Sequence, residues 1–177
     1  MGGKIDEELS ACLYAGIATD TGFFTFSNTK PETMDICAEL MRAGAKQVEI
    51  ATAVQRKSFH EVEELIRGLG TMELFADDRA VGIFLDESFI DLELTDDLID
   101  MVRYINSIEL VVLLKTESEN SCRVRIRSEV LDVSELARKF GGGGHRNAVG
   151  ATILAKFCIA KDILKKEVSS YLGIDYR

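Results

Sequence analysis

The spacing of hydrophobic residues changes character part-way along the chain. Up to about residue 69, apolar residues recur every three or four positions, which is the period of amphipathic helices. This pattern predicts helices over residues 6–18, 31–43, 46–56 and 58–69. Between the first two helices, the aromatic-rich stretch Phe23–Phe26 is predicted to be extended.

From residue 71, strand-like and helix-like segments alternate. Strands are predicted over residues 72–75, 81–85, 110–115, 122–128 and 151–155. Helices are predicted over residues 95–104, 133–140 and 160–172, and a loop over Gly141–Gly144. Interleaved strands and helices are typical of an α/β domain with a mixed sheet. The predicted organisation is a mainly helical, acidic segment over 1–57, a linker helix over 58–70 and an α/β domain over 71–177.

Composition excludes several classes of protein. With 46% hydrophobic and 29% charged residues, the chain can form a core and is not expected to be disordered. Its longest aliphatic run, Leu110–Leu114, is far shorter than the roughly 18 residues of a membrane span. The first residues lack the apolar stretch of a secretory signal, so a cytoplasmic location is expected. The cysteines show no zinc-ligand spacing and are expected to be free thiols: Cys12, Cys37, Cys122 and Cys158.

Charge is distributed unevenly along the chain. Residues 1–117 contain 10 Lys+Arg and 23 Asp+Glu, a net charge of −13, whereas residues 118–177 contain 11 and 7, a net charge of +4. The sum of −9 disfavours binding to bulk duplex nucleic acid, because an acidic protein repels it at long range. The basic final third can still hold a small anion, although its charges are also consistent with a solvated surface.

The clearest chemical signal is a run of four glycines followed by histidine and arginine, Gly141–Arg146. Consecutive glycines cost backbone entropy on folding, so a folded protein needs a reason to keep them. One reason is a loop whose amides approach an anion, with His145 and Arg146 as additional donors. The run is not a Walker A loop, because no Gly-Lys-Ser/Thr follows. A flexible connector after a helix is the alternative.

Three arginines alternate with apolar residues on a predicted strand just upstream. Alternation places Arg123, Arg125 and Arg127 on one face of that strand. Arg127, at the end of the strand, is predicted to reach a ligand near the glycine run. Arg123 and Arg125 are expected to face solvent.

Asp20 is a candidate metal ligand, since it lies between two threonines and precedes Gly22. A carboxylate in this setting can ligate a hard cation such as Mg²⁺ or Mn²⁺, but it equally suits a helix end or a turn. His60 has no second histidine at metal-ligand spacing and is expected to be a surface or packing residue.

Together these segments resemble the DHH-family phosphoesterases, in particular the RecJ-like branch with its nanoRNase and pAp phosphatase members. Residues 13–24 resemble the last metal-binding motif of the family's catalytic domain, and residues 127–151 resemble its DHH-associated C-terminal domain. The resemblance implies that Asp20 is a metal ligand. It also implies that the substrate is bound by Arg127, Ser128, Gly142, Gly143, Gly144 and His145.

The Asp-His-His motif that names the family is absent from this sequence. We therefore expect a C-terminal fragment of a phosphoesterase that acts on short oligonucleotides or pAp-type nucleotides. The fragment is expected to carry no catalytic residue. Mn²⁺ or Mg²⁺ is expected in the intact enzyme, with none bound tightly here. The expected ligand is a short oligonucleotide or a nucleotide phosphate. The expected protein partner is either a second copy of the chain or a missing N-terminal half, and no association with a membrane is expected. The alternative is a non-catalytic nucleic-acid-binding or dimerisation module related to the alanyl-tRNA synthetase C-terminal domain.

Overall fold

The computed structural model describes residues 5–176, so residues 1–4 and 177 of the predicted domains lie outside it. The chain divides into two units after Lys57. Within residues 5–57, the first unit contains three helices, α1 (Glu7–Asp20), α2 (Pro31–Arg42) and α3 (Gln47–Gln55). Its small core consists of Tyr14, Ala18, Cys37, Leu40 and Ala45.

Local capping explains where the helices of the first unit begin. The carboxylate of Asp6 accepts a hydrogen bond from the amide of Leu9 at 2.9 Å, as expected for an N-cap. At the start of α2 the N-cap residue is Lys30, whose amide donates to the hydroxyl of Thr33 at 3.2 Å. The predicted helices of the first unit are confirmed, with ends that differ from the prediction by at most two residues.

The prediction of an extended stretch at Phe23–Phe26 is wrong. Phe23 and Phe24 adopt φ angles of 53° and 70°, within a turn. The amide of Phe23 donates to the carbonyl of Ala18 at 2.6 Å, and that of Thr21 donates to the carbonyl of Ile17 at 3.0 Å. The chain must turn to satisfy these last carbonyls of α1, and this requirement outweighs the strand preference of the aromatic residues.

The second unit is a mixed α/β fold, as predicted. Helix α4 (Phe59–Leu69) comes first and is followed by β1 (Met72–Phe75) and β2 (Ala80–Leu85). A short 3-10 helix (Glu87–Phe89), α5 (Thr95–Val102), β3 (Leu110–Ser118) and β4 (Ser121–Arg127) come next. The unit ends with α6 (Ser134–Lys139), β5 (Gly143–His145), β6 (Ala148–Ile153) and α7 (Phe157–Tyr171). The strands form a six-stranded sheet in the order β1-β2-β3-β4-β6-β5, in which only β2 and β3 pair in parallel.

The two faces of this sheet are covered differently. One face packs against α6 and α7, and its core includes Val124, Ile126 and Leu164. The opposite face packs against α4 and α5, but the core there draws its strand residues from β2 and β3 alone among the described residues. On that side, none of the described helices of the second unit contributes a buried core residue over β4, β6 and β5.

The predicted linker helix belongs to the second unit, because α4 buries Leu65 against the sheet. A Cβ added at Gly68 would lie 2.7 Å from Leu98 of α5, so the two helices approach closely at this glycine. None of the helices within residues 5–176 is long and apolar enough to cross a membrane.

Candidate anion-binding groove

A groove of about 530 Å³ lies on the uncovered part of the sheet. It is lined by three arginines, by the glycine run and by small or apolar residues. Its lining consists of Arg123, Val124, Arg125, Arg127, Phe140, Gly141, Gly142, Gly143, Gly144, Ala148, Val149, Gly150, Ala151 and Thr152.

Strand register explains why the arginines and the glycine run meet. Arg127 of β4 lies opposite Ala148 of β6, which in turn lies opposite His145 of β5. Arg125 lies opposite Gly150, and Gly150 lies opposite Gly143. Residues directly opposite each other point to the same face of a sheet. Arg125, Arg127 and Gly143 therefore lie on the same face of the sheet, separated by the small residues of β6.

One carboxylate holds two of the arginines. The Nη2 atom of Arg127 lies 3.3 Å from Oδ1 of Asp96, and Nη1 of Arg125 donates to the same oxygen. The other Nη of Arg127 donates to the carbonyl of Ile126 at 3.1 Å. Burial lowers the pKa of the Arg127 guanidinium, whereas the charge of Asp96 opposes that shift. Two guanidinium groups thus converge on one anionic oxygen from the first turn of α5.

The glycines of the run differ in whether a side chain would fit at their positions. A Cβ at Gly142 would lie 2.2 Å from the carbonyl oxygen of Gly150, so backbone occupies that space. Gly144 has a φ of +146° and an equally close neighbour, the carbonyl oxygen of Ala148 at 2.4 Å. A Cβ at Gly143, by contrast, would have no atom within 4 Å. Packing does not explain Gly143, which lines the groove.

The glycine run is partly strand, which corrects the prediction of a loop over Gly141–Gly144. Gly143 and Gly144 belong to the edge strand β5, because their backbone pairs with β6. The amides of Gly141 and Gly142 close helix α6, donating to the carbonyls of Arg138 at 3.0 Å and Ala137 at 2.9 Å. An edge strand presents unpaired backbone groups. The amides of the run that do not close α6 therefore belong to β5.

Residues 81–171, just over half of the chain, match the DHHA1 domain family. The chain belongs to this family. The bifunctional oligoribonuclease and PAP phosphatase NrnA of Thermus thermophilus is 33% identical over 147 residues, which cover 82% of this chain and 45% of that protein. The protein of the same name from Bacillus subtilis is 28% identical over 158 residues, covering 86% of this chain and 50% of its own length. The chain thus spans about half the length of the curated relatives it matches.

A solved structure shows that the fold is shared. An exopolyphosphatase-related protein from Bacteroides fragilis superposes with a TM-score of 0.87 at 23% identity, covering 96% of this chain and 52% of that one. The resemblance to DHH-family phosphoesterases, and the mixed α/β fold it implies, are confirmed. The roles of individual residues are not tested by these likenesses and stay predictions.

The other predicted site residues of this DHHA1 domain are more scattered. His145 is exposed on β5, two strands away from Arg127, and strand spacing places their backbones about 10 Å apart. His145 is not among the residues that line the groove, whereas Arg127 is. The hydroxyl of Ser128 donates to the carbonyl of Glu109 at 2.7 Å and accepts from the amide of Leu131 at 2.9 Å. Ser128 is buried, and its position indicates that it holds the end of β4 in place.

Asp20 lies in the first unit, at the exposed end of α1. The side-chain amide of Asn28 donates to its Oδ2 at 3.1 Å and to its carbonyl at 3.2 Å. No group of three or more His, Cys, Asp or Glu side chains suited to a metal ion occurs among residues 5–176. The described residues therefore do not fit a metal centre on their own. His60 is exposed in the first turn of α4.

Two groove features were missed from the sequence: the partly buried position of Arg125 and the contact with Asp96. Arg123 and Arg125 both line the groove with Arg127, but the Arg123 side chain is 55% exposed, in keeping with the expected solvent-facing position, whereas that of Arg125 is 26% exposed. Alternation on β4 was the available signal, since it put all three on one face. The sequence marks Asp96 only as one of the acidic residues in the first turn of a helix. Its contact with Arg125 could not be predicted, because the two residues are 29 positions apart in the chain.

Proposed function

We propose that this chain binds and orients the substrate phosphate for a metal-dependent phosphoesterase acting on short oligonucleotides or pAp-type nucleotides. The observation that carries the proposal is Gly143, a glycine without a packing reason that faces two converging arginines across the groove. The names of the Thermus and Bacillus relatives, oligoribonuclease and PAP phosphatase, supply the substrate class.

The groove has the donors that a phosphate needs. Guanidinium groups are planar, permanently charged and able to form paired hydrogen bonds to phosphate oxygens. Arg125 and Arg127 already share one carboxylate oxygen of Asp96, so they are oriented as a phosphate would require. Fixing the phosphate in this way supplies the positioning part of catalysis.

Hydrolysis itself requires more than these residues. A metal-bound water is the nucleophile that metal-dependent phosphoesterases use, and Asp20 alone does not supply its ligand set. In this proposal Mn²⁺ or Mg²⁺ is held in the complete enzyme, with ligands from outside this chain. A cytoplasmic location and assembly with a second copy or an N-terminal half are parts of the same proposal.

Binding of pAp to purified wild-type chain and two variants, measured by isothermal titration calorimetry, tests the proposal. A charge-assisted hydrogen bond contributes roughly 1.5–3 kcal/mol. Arg127→Ala should therefore weaken pAp binding about tenfold or more, since ~1.4 kcal/mol is a factor of ten. The control is Arg138→Ala, which removes the same charge from an exposed position outside the groove lining and should bind within twofold of wild type.

Melting temperatures of the variants show whether each one is folded, and Arg127→Lys serves as a second variant that keeps the charge. Failure of the wild-type chain to bind pAp would contradict the proposal. Equal weakening by Arg127→Ala and Arg138→Ala would also contradict it, because general charge attraction would then explain binding.

A further inference from the structure

The arginines on β4 form a row along the strand rather than a single cluster. Arg123, Arg125 and Arg127 alternate with buried residues, so neighbouring arginines are about 6.7 Å apart along the strand. Their partners on β6 are Thr152, Gly150 and Ala148, all of them small. The row therefore faces an unobstructed strip of sheet.

The row has two electrostatically different ends. Arg125 and Arg127 share Oδ1 of Asp96 and thus define one anion position. Arg123 contacts a different carboxylate, with its Nε 2.8 Å from Oε1 of Glu117, and its side chain is 55% exposed. Arg123 is therefore a separate basic position within the same groove.

The step from Arg125 to Arg123 matches a chemical repeat. It is about 6.7 Å along the strand, similar to the separation of consecutive phosphates along an extended nucleotide chain. The 5′- and 3′-phosphates of pAp have this relation, and so do the first two phosphates of a 5′-phosphorylated dinucleotide. AMP has only one phosphate.

We propose that Arg123 is a second phosphate subsite, which binds the phosphate one nucleotide away from the one held by Arg125 and Arg127. The inference rests on the proposed function and specifies its substrate class: nucleotides with two phosphates on neighbouring positions. It explains how one groove serves both pAp and short oligonucleotides, since both present the same pair of phosphates. It also makes a product with a single phosphate, such as AMP, the weaker ligand.

AMP and pAp form a matched pair of ligands for the test, because they differ by one phosphate. Calorimetry on the wild-type chain should give about tenfold tighter binding of pAp than of AMP. Arg123→Ala should reduce that ratio to less than threefold while AMP affinity stays within twofold of wild type. Arg123→Lys, which keeps a positive charge, should retain a ratio between these values, and Arg138→Ala should leave the wild-type ratio unchanged.

The remaining outcomes separate this inference from the proposed function. If wild type binds AMP and pAp equally, or if Arg123→Ala lowers both affinities by the same factor or neither, the second subsite is refuted while phosphate binding stands. If wild type binds neither ligand, the proposed function itself fails. Because Arg123 is exposed, its variants should melt at the wild-type temperature, and Arg123→Gln provides the same comparison if the alanine variant does not fold.

Discussion

Alanine at two neighbouring glycines, Gly142 and Gly143, should separate folding from ligand binding. At Gly142 the added methyl group would lie 2.2 Å from the carbonyl oxygen of Gly150 and 2.5 Å from the Cβ of Ala151. Both obstacles belong to β6, whose backbone cannot move away without disturbing its pairing with β4. At Gly143 the same methyl group would enter open space in the groove.

The expected magnitudes follow from these contacts. Overpacking at a site without room costs about 1–3 kcal/mol, which for a chain of this size lowers the melting temperature by roughly 3–10 °C. Gly143→Ala has no such clash and reduces the entropy of the unfolded chain, so its free energy of unfolding should be unchanged or higher by ~0.4–1 kcal/mol. Its methyl group should block close approach of a phosphate to β5 and weaken pAp binding about tenfold, equivalent to losing one charge-assisted hydrogen bond.

Thermal unfolding by circular dichroism and calorimetry with pAp measure the two effects separately. Gly16→Ala is the control, since it adds a methyl group in open space on a helix and should leave pAp binding unchanged. Wild-type pAp affinity in Gly143→Ala would refute the argument that this glycine is kept for a ligand. Wild-type stability in Gly142→Ala would refute the close approach of the glycine run to β6.

Three further predictions address charge, packing and chemistry. Asp96→Asn should tighten AMP binding, because the Asp96 carboxylate occupies the proposed phosphate position and competes with the ligand for Arg125 and Arg127. An exposed ion pair contributes ~0.2–1 kcal/mol, so calorimetry should show a gain of up to about fivefold. Weaker binding would instead show that the Asp96 charge is needed to orient the arginines. Leu164→Ala should lower the free energy of unfolding in urea by about 2–5 kcal/mol, since Leu164 is fully buried beneath the sheet. The purified chain with Mn²⁺ should not hydrolyse pAp above background in a phosphate-release assay, and turnover that is lost in Asp20→Ala would contradict this.

Local sequence patterns predicted the helices and strands of this fold well where the spacing of apolar and polar side chains distinguishes one from the other. Alternation on β4 predicted that Arg123, Arg125 and Arg127 share one face of the strand, and all three line the groove in the structure. Phe23 and Phe24 were misassigned because the closing turn of α1 depends on hydrogen bonds to carbonyls, which composition does not reveal.

The groove could not be predicted in full, because it depends on contacts between distant parts of the chain. Nothing local to β4 indicates that α4 and α5 cover β2 and β3 but leave the arginines open. The strand at Gly143–His145 has no side-chain pattern and forms only because β6 pairs with it. The resemblance implied roles for Arg127 and the glycines, and these stay predictions. The ion pair of Arg125 with Asp96 is visible only in the three-dimensional structure.

The most direct test of the central claim, that nucleotide phosphate binds between β4 and β5, is an NMR titration of the ¹⁵N-labelled chain with pAp. We predict that the largest shift changes occur at the amides of Gly143 and Gly144 and at the Nε–H of Arg127. The amide of Gly16 in the first unit should not move. Saturable shifts confined to residues outside the groove, with Gly143 and Arg127 unperturbed, would contradict the account.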